Sequence, residues 1–211
     1  MTSYLSLLAA GFGLGLSVAA PLGPVSAAAI REGLERGMLP AFLIGLGAAT
    51  VDFFYLALVY AGVAPLLVRI PWLMTVFYLA GALLLGQMAY GALQRARTGT
   101  LPPPARRSAA ARNAYLYGLG ITLLNPSTII SWLGLGGAFA SAYLTTITLS
   151  SAAGVLISVF TGSATWFFTL SLLVGGARRL AGDRPWVYRA VNLIAGLALG
   201  TYAVIFLLKA F

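Results

Sequence analysis

Short charged stretches divide this chain into long uncharged apolar runs. The first run extends from about Tyr4 to Ile30, and Arg31-Glu32-Gly33-Leu34-Glu35-Arg36-Gly37 after it predicts a short polar loop. The second, about Pro40 to Gly62, contains one charge, Asp52. Arg69 and Pro71 mark the next turn, and Trp72 to Gln94 is uncharged. Arg95 to Arg112 carries five arginines and Pro102-Pro103-Pro104, the composition of an exposed, partly polyproline connector. A crossing helix needs about 20 residues, so the uncharged tract from Asn113 to Ala177 has room for two or three. The polar patch Ser141 to Thr148 divides it best as two, about Ala114 to Ala140 and about Leu149 to Gly175. Arg178, Arg179, Asp183 and Arg184 follow, and Pro185-Trp186 opens a last run that ends near Lys209. The pattern predicts an all-α polytopic membrane protein with six transmembrane helices in a single domain, residues 1–211.

Two of these runs are interrupted. Pro21-Leu22-Gly23-Pro24 breaks the first and Leu124-Asn125-Pro126-Ser127 breaks the fourth. Proline removes a backbone donor and clashes with the preceding helical turn. One such break is explained by a packing kink. Two, at matching places in the two halves, point to a binding site between them.

The halves also match in sequence. Pro71-Trp72 recurs as Pro185-Trp186, and Phe53-Phe54 as Phe167-Phe168, both 114 positions on. At the same offset Leu79, Leu85 and Gly86 meet Leu193, Leu199 and Gly200; Ala49-Thr50 meets Ala164-Thr165 with a slip of one. Gly23-Pro24 matches Asn125-Pro126 at an offset of 102. The expected plan is repeat one at 1–94, an Arg/Pro-rich cytoplasmic connector at 95–113 and repeat two at 114–211. Three spans per half is odd, so the second repeat is expected inverted, with the first and fourth helices broken.

Composition supports the membrane reading. Residues are 60% hydrophobic and 8% charged, with mean hydropathy +0.94, where a soluble domain has about 25% charged. There is no His and no Cys, which excludes a structural zinc site, a thiol nucleophile and Ser-His chemistry. No enzyme activity, cofactor or metal is expected. Net charge is +9; loops retained in the cytoplasm explain it better than nucleic acid does. Met1–Ile30 lacks a basic leading segment and is not expected to be a cleaved signal. With the N-terminus outside, Arg31, Arg36, Arg95, Arg97, Arg106, Arg107, Arg112, Arg178, Arg179 and Arg184 lie inside, and only Arg69 and Lys209 outside. Arg189 snorkels back to the inner face. Both termini are therefore expected outside.

The candidate chemistry is sparse. Asp52 is the only acid inside an apolar run, 12 residues past Pro40 and so roughly 18 Å along a helix, near the middle of a ~30 Å core. An ionisable group there marks a functional site by default; the plain structural alternative is a protonated acid bonded to a Thr or Tyr. Asn125 suits an N-cap and Pro126 the first helical position, with Ser127 next; Gly23-Pro24 plays the same part less well. Each break presents backbone N–H groups at a positive helix end, which suits a carboxylate, while Asp52 suits an ammonium. Together they describe a pocket for a small zwitterion. Thr161, Gly162, Ser163 and Thr165 are placed to line it, or equally to let helices pack closely. Gln87 and Asn192 read as interhelical hydrogen bonds, Trp72 and Trp186 as interfacial anchors, and Gly134, Gly136 and Gly137 as small residues suited to a homo-oligomer face.

Pro21-Leu22-Gly23-Pro24, Gly33 and Gly37, Gly45 and Asp52, and Asn125-Pro126 together resemble the LysE/RhtB family of amino-acid exporters. The resemblance covers about Gly11 to Gly200. It implies a bacterial cytoplasmic (inner) membrane protein that exports amino acids or close derivatives by proton antiport. It carries over Pro21, Gly23, Pro24, Asp52, Asn125 and Pro126 as site positions. Members often have Lys after the Asn-Pro pair, where this chain has Ser127. Substrate binding is thus expected at Pro21, Gly23, Pro24, Asp52, Asn125, Pro126, Ser127 and Thr165, and proton coupling at Asp52, with sodium the other coupling ion. The alternative is a non-transporting membrane scaffold or assembly factor, which would tolerate loss of Asp52. An intramembrane enzyme is disfavoured because a lone acid lacks the second group that acid–base catalysis uses.

Overall fold

The computed structural model describes residues 4–98, 107–143, 148–182 and 184–211. Among them the chain is helical throughout, with no strand. The helices are α1 (Tyr4–Ala19), α2 (Pro24–Arg36), α3 (Met38–Tyr60), the short α4 (Ala64–Val68), α5 (Pro71–Thr98), α6 (Arg107–Leu123), α7 (Pro126–Tyr143), α8 (Leu149–Ala181) and α9 (Pro185–Lys209). α3, α5, α8 and α9 are long and apolar enough to cross a membrane. α1 and α2 meet at a bend of 75°, and α6 and α7 at 68°, so that each pair taken as one broken span brings the number to six. Pro24 and Pro126 each stand first in the helix after the bend, where a missing N–H costs nothing. The chain is a multi-pass membrane protein.

Large apolar side chains face outward along these helices: Leu83 and Tyr90 on α5, Leu172 and Leu173 on α8, Ile194 and Leu208 on α9. An apolar exterior of this extent is solvated by lipid. Trp72 and Trp186 are exposed near the starts of α5 and α9, as interfacial anchors are.

Glycines set the interior. A Cβ on Gly15 would run into the Val159 carbonyl, and one on Gly162 into the Phe12 carbonyl, so α1 and α8 touch backbone to backbone. α3 and α6 meet the same way, Gly47 against the Tyr115 carbonyl and Gly118 against the Ile44 carbonyl. Small residues permit such approach, and close packing is what holds helices together in lipid. Both pairs are parallel: Leu8 lies at Gly154, Gly11 at Ser158 and Gly15 at Ser163, while Ile44 lies at Gly118 and Tyr55 at Leu123. Numbering runs in opposite senses between α3 and α8, where Gly45 lies under Phe167 and Phe53 faces Phe160. It also does so between α5 and α9, where Gly196 meets Leu93 and Tyr78 meets Phe206. Six successive crossings, with each bent pair counted as one span, would give this alternation.

The first charged stretch differs from the expected loop. Arg31 to Arg36 continue α2 as helix, and Arg31, Glu32 and Glu35 are buried. The helix is charged but internally paired: Arg31 lies 3.4 Å from Glu35 and Arg36 lies 3.1 Å from Glu32, each at i,i+4. The turn shrinks to Gly37 alone, whose φ of 104° is open to glycine and strained for other residues. Both ends of the expected 95–113 connector are helical. Arg95 to Thr98 end α5 and Arg107 to Asn113 begin α6; Pro102-Pro103-Pro104 and Arg106 lie outside the described residues, as does Asp183. Part of the Ser141–Thr148 patch lies outside them as well. Its last residue, Thr148, caps α8: its Oγ1 accepts from Ser151 N at 3.2 Å, and Ser151 Oγ accepts from Thr148 N at 3.0 Å.

Candidate binding site

Both bends open onto one pocket of about 220 Å³. Pro21, Gly23 and Pro24 line it from the first break, Asn125 and Ser127 from the second, and Asp52 from α3. Six of the eight expected site residues are thus brought together. Pro126 is fully buried behind them at the start of α7.

The two helix ends at the pocket are not alike. At α7, Asn125 Oδ1 accepts from Ser127 N at 3.1 Å and Asn125 O accepts from Thr128 N at 3.0 Å. The second break therefore satisfies its own first donors. At α2 no side chain caps the helix, and the first backbone bond runs from Ala27 N to Gly23 O at 3.0 Å. The N–H groups of Val25 and Ser26 precede that bond, and both residues line the pocket. They are the orphan donors that every helix start presents, at the positive end of the dipole.

Asp52 is buried, at 6% exposure. Its Oδ1 accepts a hydrogen bond from Trp132 Nε1 at 2.8 Å, and no ion pair among the described residues includes it. One turn further along α3, Tyr55 donates its hydroxyl to the Leu123 carbonyl at 2.7 Å, one of the carbonyls left unpaired where α6 ends. α3 thereby grips both sides of the second bend, α6 through Tyr55 and α7 through Asp52. Hydroxyls of Ser26, Thr122, Thr128 and Ser131 complete the polar lining, with Phe167 as an apolar wall. Trp132 had no signal of charge or spacing to mark it; a Trp in the middle of a broken apolar run was the available hint.

Thr165 does not reach the pocket. It is exposed on α8, with its hydroxyl donating to the Thr161 carbonyl at 2.7 Å. Thr161 likewise bonds its own helix, at 2.9 Å to the Ile157 carbonyl. Ser163 donates to the Gly15 carbonyl at 3.1 Å across the α1–α8 contact. For Gly162 and Ser163 the packing alternative holds, while Thr161 and Thr165 are exposed on α8. Phe167, two residues past Thr165, is what α8 contributes. Asn192 makes the interhelical bond expected of it, accepting from Arg31 Nε at 3.0 Å. Gly136 is covered by Leu56 and so is not part of a free face; Gly134 and Gly137 have open space beside them.

The family model for LysE type translocators matches residues 16–210. The chain belongs to the LysE family. Its glycines at the motif positions have local reasons: Gly33 fits under Val174 and Ala41, Gly37 takes the positive φ, and Gly45 accommodates the Phe167 ring. Relatives include YcgF of Bacillus subtilis (strain 168), named as a candidate amino acid efflux protein, 31% identical over 88% of this chain and 88% of its own length. The chemotactic transduction protein ChpE of Pseudomonas aeruginosa is 32% identical over 83% of this chain and 84% of its own. The arginine exporter protein ArgO of Salmonella paratyphi A is 26% identical over 90% and 87%. No solved structure matches the chain significantly.

Proposed function

We propose that this LysE-family translocator exports amino acids or close derivatives across the bacterial cytoplasmic membrane by proton antiport. The observation that carries the reading is the meeting of an uncapped helix start and a buried acid in one pocket between the two broken spans. The substrate carboxylate lies on the Val25 and Ser26 N–H groups, assisted by Ser127. The ammonium lies on Asp52, which Trp132 holds in place. Pro21, Gly23, Pro24, Asn125 and Pro126 keep the two helix ends open to the cavity. Asp52 binds the ammonium when ionised. Protonation from the outer side, more acidic in a respiring cell, releases it, so each substrate leaving is matched by a proton entering.

Two inverted repeats with the site between them fit this cycle. The paired glycine contacts support that plan: Gly47 and Gly162 are related by the slipped repeat offset, and each packs against the first helix of the other half. The arginine bias supports a cytoplasmic end at Arg31, Arg95 and Arg178, with both termini outside. Asp52 is the only carboxylate on the pocket wall among the described residues. A dibasic substrate needs a second counter-charge, so a monoamino acid fits better than arginine, the cargo in the name of ArgO. A scaffold role would sit easily beside the name of ChpE, yet it gives no reason to bury an unpaired acid at a cavity, which is costly in a membrane.

The test is counterflow in proteoliposomes preloaded with unlabelled amino acids, using a pooled radiolabelled set outside. Accumulation of label by the wild type, lost in Asp52→Asn, is expected. No accumulation of any amino acid by a reconstituted, monodisperse protein contradicts export.

A further inference from the structure

The arginine-rich end of the bundle contains a second cavity, also about 220 Å³, that the central pocket does not use. It lies between α5 and α6, which touch only lightly, and α2 supplies its floor. Arg31, Glu32 and Arg36 come from α2, Leu84, Met88 and Arg95 from α5. Its charges do not cancel. Glu35 is shared by Arg95 Nη1 at 2.7 Å and Arg31 at 3.4 Å, and Glu32 serves Arg36 at 3.1 Å. Three guanidiniums thus face two carboxylates. Arg36 Nε, although close to Glu32, makes no directed hydrogen bond among the described residues, and the side chains of Arg36 and Arg95 are each about a quarter exposed, at 26% and 27%. Leu84 and Met88 give the groove an apolar wall about two to three turns along α5 from Arg95.

We propose that this groove holds the phosphate of an anionic phospholipid, with Arg36 and Arg95 on the headgroup and the upper acyl chain along Leu84 and Met88. Basic pockets between transmembrane helices recognise such headgroups, and a guanidinium pairs with phosphate through parallel N–H bonds. The apolar wall continuous with the charged floor favours a lipid over a soluble anion. Because the floor is the charged end of α2, a bound lipid steadies the half-helix whose other end opens the central pocket.

Gly91 provides a clean variant. It lines the groove, and a Cβ there meets nothing within 4 Å. Gly91→Leu therefore adds a side chain to the groove without replacing a member of any ion pair. The experiment is native mass spectrometry of the full chain in detergent, with phosphatidylglycerol, phosphatidylcholine or diacylglycerol added in equal excess. Wild type should retain phosphatidylglycerol above the other two. Gly91→Leu and Arg36→Gln should each lower its retention about fivefold, the effect of one arginine at an anionic surface, with thermal stability unchanged in Gly91→Leu. Equal retention of phosphatidylglycerol and diacylglycerol, or undiminished retention by Gly91→Leu, overturns the assignment. Displacement of the lipid by millimolar inorganic phosphate or by mixed amino acids does so too, and makes the groove a soluble-anion site. None of these outcomes depends on whether the protein transports amino acids.

Discussion

Asp52 and Tyr55, one turn apart on α3, hold the two sides of the second bend. Trp132→Phe keeps an aromatic side chain, although smaller than the indole, and removes the donor. A buried acceptor left without its partner costs about 1–3 kcal/mol. Trp132→Phe is expected to reduce counterflow several-fold and to lower thermal stability in detergent, with Tyr55→Phe affecting stability through the α6 carbonyl it frees. Native stability and rates in Trp132→Phe would show that Asp52 is positioned by the cavity alone. Asp52 was legible because a single acid in an apolar run is conspicuous. Trp132 was not, because its role arises only when residues 80 apart in sequence meet. Thr165 lies outside the pocket for a physical reason: hydroxyls inside helices can satisfy themselves on the carbonyl four residues back, as Thr161, Thr165 and Thr169 all do.

At the scale of the element, the breaks were readable from Pro24 and Pro126, and the long apolar runs from the spacing of charge. The charged turn after the first run was not read as helix. Arg31–Glu35 and Glu32–Arg36 have the i,i+4 spacing of helical pairs, but solvation is the ordinary fate of such a cluster, and only the contacts with Arg95 and Asn192 explain its burial. Replacing both Pro24 and Pro126 with Ala lets helical bonds run through each bend and withdraws the open donors at α2. The double variant should insert normally, since insertion follows hydrophobicity, and should lose counterflow. Full activity in it would remove the helix ends from the site. Gly118→Leu tests the opposite property. Its side chain would press on the Ile44 carbonyl, and overpacking costs about 1–3 kcal/mol, so the expected result is lower folded yield in detergent by size-exclusion chromatography.

For the whole molecule, orientation and coupling are the properties to be measured. The chain has no Cys, so one introduced thiol reports cleanly. Ala105→Cys, in the arginine-rich connector, should resist an impermeant thiol reagent in intact cells. Val63→Cys, exposed beyond α3, should react with it, and labelling of Ala105→Cys from outside would reverse the topology. The proposed repeat rests on faint matches near an offset of 114, and the glycine contacts of α1 with α8 and of α3 with α6 are consistent with it. The second, charged groove was not legible, since it depends on how far α5 stands from α6.

The central claim is that Asp52 couples proton entry to substrate exit. It is tested most directly in proteoliposomes under an imposed pH gradient, following efflux of the amino acid found in counterflow together with proton movement by a pH-sensitive dye. Wild type should show efflux driven by the gradient with matching proton movement in the opposite direction. Asp52→Asn, which keeps size and hydrogen bonding but cannot ionise, should fold and lose at least about tenfold of the driven rate, a barrier change of ~1.4 kcal/mol, and should show no substrate-dependent proton movement. Wild-type efflux and unchanged proton coupling in Asp52→Asn would contradict the account.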